Sequence, residues 1–213
     1  MSIPRLIDVV AAVCLVLVAV SSSAVVGSEP PARGSDGRRS LAGHFLVASP
    51  NLRDPTFEKA VVYVVRHDAT GALGLIVNRP VGRGPLADLL RGFGVDSAGP
   101  AGAATVALYL GGPLERRHVL VLHTPEHIGG ATLSVGRHAA LSSLADVLKA
   151  AGQGRAPRRL LLALGYAAWD SGQLENEVDR DDWRVAPFDE DLAFGGQPET
   201  AWRRALGRAG SDL

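Results

Sequence analysis

Cysteine is almost absent from the 213 residues, and the single thiol, Cys14, sits inside an apolar N-terminal run. Disulfides, thiolate catalysis and cysteine-ligated metals are therefore excluded from the rest of the chain. Lysine is nearly as scarce: apart from Lys59 and Lys149 the basic residues are arginines, which reads as compositional bias rather than chemistry. An excess of either charge is missing too. With 22 basic and 22 acidic residues, no global field draws the chain onto nucleic acid or an acidic membrane surface. Aromatic residues make up only 5%, so a core must be built chiefly from aliphatic side chains. The 46% apolar and 21% charged content is otherwise that of an ordinary globular protein.

The usual signatures of catalysis are missing as well. The chain has no G-x-S-x-G nucleophile turn, no Walker-type phosphate loop and no S-x-x-K. In "HTPEH", His123 and His127 stand four apart beside Glu126, superficially like a helical zinc motif, but Pro125 opposes a helix there. In a loop the pair could still hold a metal, against the plainer reading of a strand end and a solvated loop; no third ligand is marked by spacing. No metal and no cofactor are expected. Glu175 and Glu177, two residues apart, fall on different sides of a helix and make a poor acid/base pair.

The N-terminus stands apart from the remainder of the chain. After Arg5 no charge occurs from Val9 through Gly27, which suits an export signal or, since about 17 to 25 apolar residues can cross a bilayer, an uncleaved membrane anchor spanning residues 9–27. Residues 1–27 are assigned to that segment, and the expected location is exported or N-terminally anchored. A misassigned start site would make the protein cytoplasmic. Residues 28–40, "SEPPARGSDGRRS", have the Pro, Gly and Ser content of a flexible linker. The domain proper occupies residues 41–213.

Within it, short apolar runs alternate with turn clusters. "HFLVAS", "AVVYVVR", "ALGLIV", "TVALYL", "HVLVLH", "ATLSV", "RRLLLALG" and "WRVAPF" are strand-sized and several are rich in β-branched residues. The second and third are joined by "HDATG", a hairpin bend that places His67 and Asp68 at a turn. Helical spacing occurs mainly in "HAALSSLADVLKAAG", with Leu141, Leu144, Val147 and Leu148 on one face, in the acidic "GQLENEVDRDDW" and in "ETAWRRALGRAG"; a weaker turn runs through "GPLADLLRGFG". Strands first in hairpins and then mixed with about three flanking helices indicate an α+β fold.

Several polar residues invite two readings. Asn78 and Arg79, just after the strand "LGLIV", either satisfy stray backbone groups and pair with a carboxylate or line a pocket. Asp54 with Pro55 reads as a turn or cap. Gly111-Gly112-Pro113 either form a tight turn or present amides to an anion. Between Asp170 and Asp191 nine acidic residues face only Arg180 and Arg184, either as a solvated helix face or as a dock for a basic partner.

The order of "LVASPNLRDPTFEKAVVYVVRHDATGALGLIVNRP", "GGPLE", "VLVLH", "LLLALGYAAWDSGQLENEV" and "DDW" resembles the YqgE/AlgH family from about Leu41 to the C-terminus. The resemblance implies a compact α+β domain whose largely antiparallel sheet folds into a pseudo-barrel. It implies no established catalytic activity, and a transcriptional-regulator description that stems from a link to alginate regulation. The matching positions are Pro50, Asp54, Pro55, Phe57, Gly71, Gly74, Asn78, Arg79, Pro80, Gly111, Gly112, Pro113, Gly165, Tyr166, Trp169, Gln173, Leu174, Glu175 and Trp183. Most are turn-forming or packing types. The chain departs from the family in its leader, in Ala168 where a glycine is usual, and around Arg137 to Ser143.

Together these readings favour a non-enzymatic regulatory or protein-interaction module whose partner is another protein. Asp54, His67, Asn78, Arg79, Tyr166, Gln173 and Glu175 are the candidate ligand- or partner-contacting residues. A small-ligand binder or cryptic hydrolase with a pocket near Asn78 and Arg79 is the alternative. A DNA-binding regulator is the weakest, since no recognition helix is evident and nucleic acid is not an expected partner.

Overall fold

Strand β9 (Leu160–Asp170) is eleven residues long and belongs to two half-sheets at once. In the computed structural model, which describes residues 39–92, 105–126 and 132–210, its C-terminal half pairs antiparallel with β3 (Gly71–Ile76). From there the sheet continues through β2 (Val61–Asp68) and β1 (Phe45–Ala48) to β10 (Trp183–Ala186). Its N-terminal half pairs antiparallel with β6 (Leu114–His123), and beyond that lie β8 (Ala139–Ser143) and β7 (Leu133–Val135). On the edge that β9 shares with β3, the short β5 (Thr105–Leu110) runs parallel to it and carries β4 (Pro80–Pro85) outside. The result is a curled, largely antiparallel sheet, with helices on it: an α+β fold.

The bend in β9 is set by Gly165, which takes φ +68. There the connection Gly111–Pro113 carries the chain across β9, from β5 on one edge to β6 on the other. The two backbones pass so closely that a Cβ at Gly111 would strike the Gly165 carbonyl, one at Gly112 the Tyr166 backbone, and one at Gly165 the Leu114 carbonyl. Gly111 N–H donates to Leu164 O at 2.7 Å, and Ile76 N–H to Gly111 O at 2.8 Å, tying the crossing to both half-sheets. Gly111 and Gly112 are thus required by proximity more than by turn geometry.

Side chains alternate along β1 and β2 between two buried faces. Phe45, Val47, Val61 and Tyr63 enter the main core within the curl, with Leu75, Leu122 and Leu161. Leu46, Val62 and Val64 pack on the opposite face with Ile76, Trp169, Leu174 and Trp183. A third cluster, around Val121 and Leu162, lies beneath α1 (Leu86–Gly92) and α2 (Leu144–Gly152). Residues Ala139–Ser143, although at helical spacing with Leu144, Val147 and Leu148, form strand β8 instead, paired between β6 and β7. The helix starts only where the Ser143 side chain accepts from Asp146 N–H as its N-cap.

Three more helices complete the chain: α3 (Gln173–Asp179), α4 (Glu190–Ala193) and α5 (Pro198–Arg208). Five helices are therefore described rather than about three, the additional ones, α1 and α4, being short. Asp189 ties the last two together: it caps α4 through Leu192 N–H and accepts from Arg204 and Arg208 of α5. Its burial opposes ionisation, but these three donors outweigh it and hold the carboxyl below its ordinary range. Trp202 pins α5 to the sheet by donating to Ala48 O at 2.7 Å. Among the described residues no helix is long and apolar enough to cross a membrane.

Gly165→Ala should cost roughly 3 kcal/mol or more, because it adds backbone collision to the left-handed penalty. Gly172→Ala, at φ +75 with no described residue within 4 Å of the added Cβ, should cost about 1 kcal/mol. Urea denaturation of both variants measures the difference, and equal losses would remove the crossing as a constraint. Tyr63 offers the opposite test. It is fully buried with no partner for its hydroxyl among the described residues, and burial pushes its pKa far above the ordinary phenol value. Tyr63→Phe should therefore hold or raise stability, by about 1 kcal/mol, in the same unfolding measurement.

Candidate functional site

A cleft of about 240 Å³ opens on the outer face of the first half-sheet, between the β1–β2 loop and α3. Leu52, Asp54 and Phe57 line it from the loop, Ala168 and Trp169 from the end of β9, Gln173, Glu177 and Arg180 from α3 and its C-cap, and Asp182 and Trp183 from the entry to β10. The aromatic side chains form one cluster: Phe57 lies 5.4 Å from Trp183 edge-to-face and 6.2 Å from Trp169, and the two indoles are 5.9 Å apart at 80°. Trp169 and Trp183 are almost wholly buried, and a buried indole N–H needs an acceptor. Both find the same one. Each donates to Glu177 Oε2 at 2.8 Å, while the Gln173 amide donates to Oε1 at 2.8 Å.

Local sequence explains how these groups meet. Gln173 and Glu177 are four apart on one helical face, and Gln173 Oε1 also accepts from Asp170 N–H at 3.0 Å, joining the helix start to the end of β9. Asp182 N–H donates back to Glu177 O at 2.9 Å, which closes the turn from α3 into β10. At the cleft, Arg180 donates from Nε and Nη2 to Asp182 Oδ2 at 3.0 and 2.7 Å. Three carboxylates, one guanidinium and the Gln173 amide therefore surround an otherwise aromatic and aliphatic space.

The opposite wall is the β1–β2 loop, held by backbone turns and by two side chains from elsewhere. Asp54 Oδ1 accepts from Thr56 N–H at 2.7 Å, a local turn. Asn78 Oδ1 accepts from Val61 N–H, and its amide donates to Lys59 O, both at 2.9 Å. Arg79 donates to Thr56 O and, at 2.7 Å, to Glu58 O. Asn78 and Arg79 thus satisfy backbone groups in and beside the loop that presents Leu52, Asp54 and Phe57.

Of the residues singled out from sequence, Asp54, Phe57, Trp169, Gln173 and Trp183 line the cleft, whereas Asn78 and Arg79 stand behind its wall. Tyr166 lies elsewhere, half-buried against the main core at the β9 crossing. His67 and Glu175 meet away from the cleft. His67 Nδ1 accepts from Leu41 N–H at 3.0 Å, so Nε2 carries the proton and donates to Glu175 Oε1 at 3.2 Å. Ser40 Oγ–H donates to His67 O at 2.8 Å, so this pair fixes the point where the chain enters the domain.

Glu177, Leu52, Arg180 and Asp182 are not singled out as site residues by the sequence. The available signal is the Gln173–Glu177 spacing between two tryptophans. His123 is fully buried, donating from Nδ1 to Thr124 O at 2.7 Å and accepting at Nε2 from Ser142 Oγ–H at 3.0 Å. Burial is the largest influence on it and lowers its pKa below the ordinary histidine value, against the Thr124 bond and the Glu126 charge. His127 lies outside the described residues, among which no group of three His, Cys, Asp or Glu side chains is placed to hold a metal.

Residues 45–213 match the model of the AlgH-like family. The chain belongs to the AlgH-like family. A UPF0301 protein of Methylococcus capsulatus is 42% identical over 178 residues, covering 84% of this chain and 96% of that one. A UPF0301 protein of Afipia carboxidovorans is 40% identical over 190 residues, covering 86% and 90%. The solution structure of the AlgH protein from Pseudomonas aeruginosa superposes with a TM-score of 0.67 at 34% identity, covering 89% of this chain and 92% of that one. A crystal structure from Corynebacterium diphtheriae shares the fold at TM-score 0.62 and 20% identity, covering 88% and 92%. In this AlgH-like chain the cleft lies between two sequence blocks that carry the family resemblance, "SPNLRDPTF" and "GYAAWDSGQLENEV", and Glu177 of the second bonds the tryptophan of a third, "DDW".

Glu177→Ala should leave two indole N–H groups and one amide without their acceptor, at a cost of about 2 to 4 kcal/mol. Glu177→Gln, which keeps an acceptor oxygen, should cost less. Chemical denaturation followed by tryptophan emission measures both, and an Ala variant as stable as the parent would show the network to be incidental.

Proposed function

We propose that this AlgH-like domain is a non-enzymatic protein-interaction module that receives a partner in the cleft between the β1–β2 loop and α3. The observation that carries this reading is the bonding of Glu177. A general base must be placed to take a proton from a substrate; Glu177 is committed to three donors from β9, α3 and β10, which makes it a fixed negative pole in an aromatic-walled space. Small clefts of this kind hold single anchor side chains well, because desolvated aromatic surroundings concentrate binding energy in few contacts. The neighbouring Asp54 and Asp182 disfavour phosphate backbones, which supports a protein partner over a nucleic acid.

The reading is checked by affinity capture from cells that make the protein, with the parent chain and Leu52→Arg as paired baits, the second filling the cleft mouth with a charged side chain. The expected result is a partner retained by the parent and lost with the variant, whose folding is checked by its unfolding curve because Leu52 packs at the edge of the outer core. Failure to retain any partner, together with turnover in a broad activity screen, would overturn it.

A further inference from the structure

The geometry of the cleft points to the chemistry of its occupant: we propose that it takes an arginine side chain of the partner protein, a proposal that rests on the interaction-module reading above. The walls are apolar and aromatic, from Leu52, Phe57, Trp169 and Trp183, while the polar lining is net acidic: Asp54, Glu177 and Asp182 stand against Arg180 and the neutral amide of Gln173. That combination suits a side chain with a long apolar stem and a cationic head. An anion or a neutral acceptor would face carboxylate oxygens. A carboxylate offers about four acceptor directions; three of those of Glu177 are taken by the two indoles and Gln173. What enters must therefore donate.

Arginine fits better than lysine. A guanidinium is planar, weakly hydrated and able to stack on aromatic rings while donating in the ring plane, whereas an ammonium is compact and strongly hydrated. The cleft also already holds a guanidinium at its edge. Arg180 donates twice to Asp182 Oδ2, yet its side chain remains 60% exposed against 27% for Asp182. An ion pair on so exposed an arginine is weak and readily exchanged. Arg180 is thus a resident stand-in: the partner's arginine displaces it from Asp182, and the freed Arg180 swings into solvent.

The test uses the full chain and the capped tripeptide acetyl-Gly-Arg-Gly-amide, beside its lysine and citrulline counterparts, followed by the indole N–H signals of the tryptophans. Trp202 of α5, bonded to Ala48 O of β1, is the internal control. The arginine peptide should shift the Trp169 and Trp183 signals and leave Trp202 in place; the isosteric but uncharged citrulline peptide should not. Asp182→Asn should weaken binding about tenfold and Arg180→Ala should tighten it a few-fold by removing the competitor. Asp54→Asn, which keeps an acceptor for Thr56 N–H, gives a second charge-removing variant should the first unfold. Equal responses to arginine and citrulline, equal responses to arginine and lysine, or no movement of either indole would each overturn the arginine assignment. If affinity capture retains a partner while no peptide binds, only this assignment fails. If the arginine peptide binds but no protein is retained, the interaction-module reading fails and the cleft serves a free guanidinium compound.

Discussion

Two stretches of backbone pass each other at Gly111–Gly112 and Gly165–Tyr166 with no room for a Cβ on any of the three glycines, and the rest of the domain is arranged around that crossing. It allows β9 to serve both half-sheets: β5 and β3 follow one another along one edge and β6 takes the other. A side chain at the crossing would push the strands apart and lose ladder bonds on both sides, so the cost spreads well beyond the residue changed. The crossing also orients the far end of the strand. Ala167 and Trp169 come two and four residues after the bend, and their placement on the outer face of the sheet is fixed by the register of β9 against β3.

From there the chain of causes runs through hydrogen bonding. Two tryptophans buried on one face need acceptors, and a single carboxylate supplies both. Glu177 thereby links β9, α3 and β10, elements that pair with different parts of the sheet. Removing an acceptor that several buried donors share is more costly than removing one partner of a lone bond, since each orphaned donor is desolvated without compensation. The same bonds that stabilise the corner also leave a carboxylate facing a small aromatic space, so in the proposed function recognition draws on the group that stabilises the corner.

Much of this was legible in the sequence. The eight apolar runs read as strands correspond to eight of the ten strands, and the "HDATG" bend is the β2–β3 hairpin, with Asp68 accepting from Thr70 N–H as the turn chemistry requires. The two strands outside that reading have physical reasons. β4, "PVGRGP", is rich in proline and glycine and carries no apolar alternation, as befits an exposed strand that among the described residues pairs with β5 alone. β8, "AALSS", continues the helical spacing of α2, and only its pairing with β6 and β7 overrides that local preference. At the site, the reading that Asn78 satisfies stray backbone groups matches its two bonds to the loop. Glu177 gives only the weak signal of its spacing from Gln173 between two tryptophans, because its role depends on Trp169 and Trp183 turning toward the same point, which that spacing does not encode.

The shortness of α3 bears on what the cleft can do. Seven residues make two turns, too few to persist without tertiary support, yet this helix forms one wall. Its support comes from several directions: Leu174 is buried in the outer core, Gln173 holds the end of β9, Glu175 meets His67 of β2, and Glu177 collects the indoles. The facing loop is held just as firmly, by Asn78 and Arg79 on four backbone groups in and beside it. Both walls are therefore fixed before anything enters, and a partner that binds there does not have to order them. Since ordering costs are a main reason why small contact areas bind weakly, a cleft built from pre-set walls can extract useful affinity from one side chain. That is consistent with spending so many hydrogen bonds on a surface of this size.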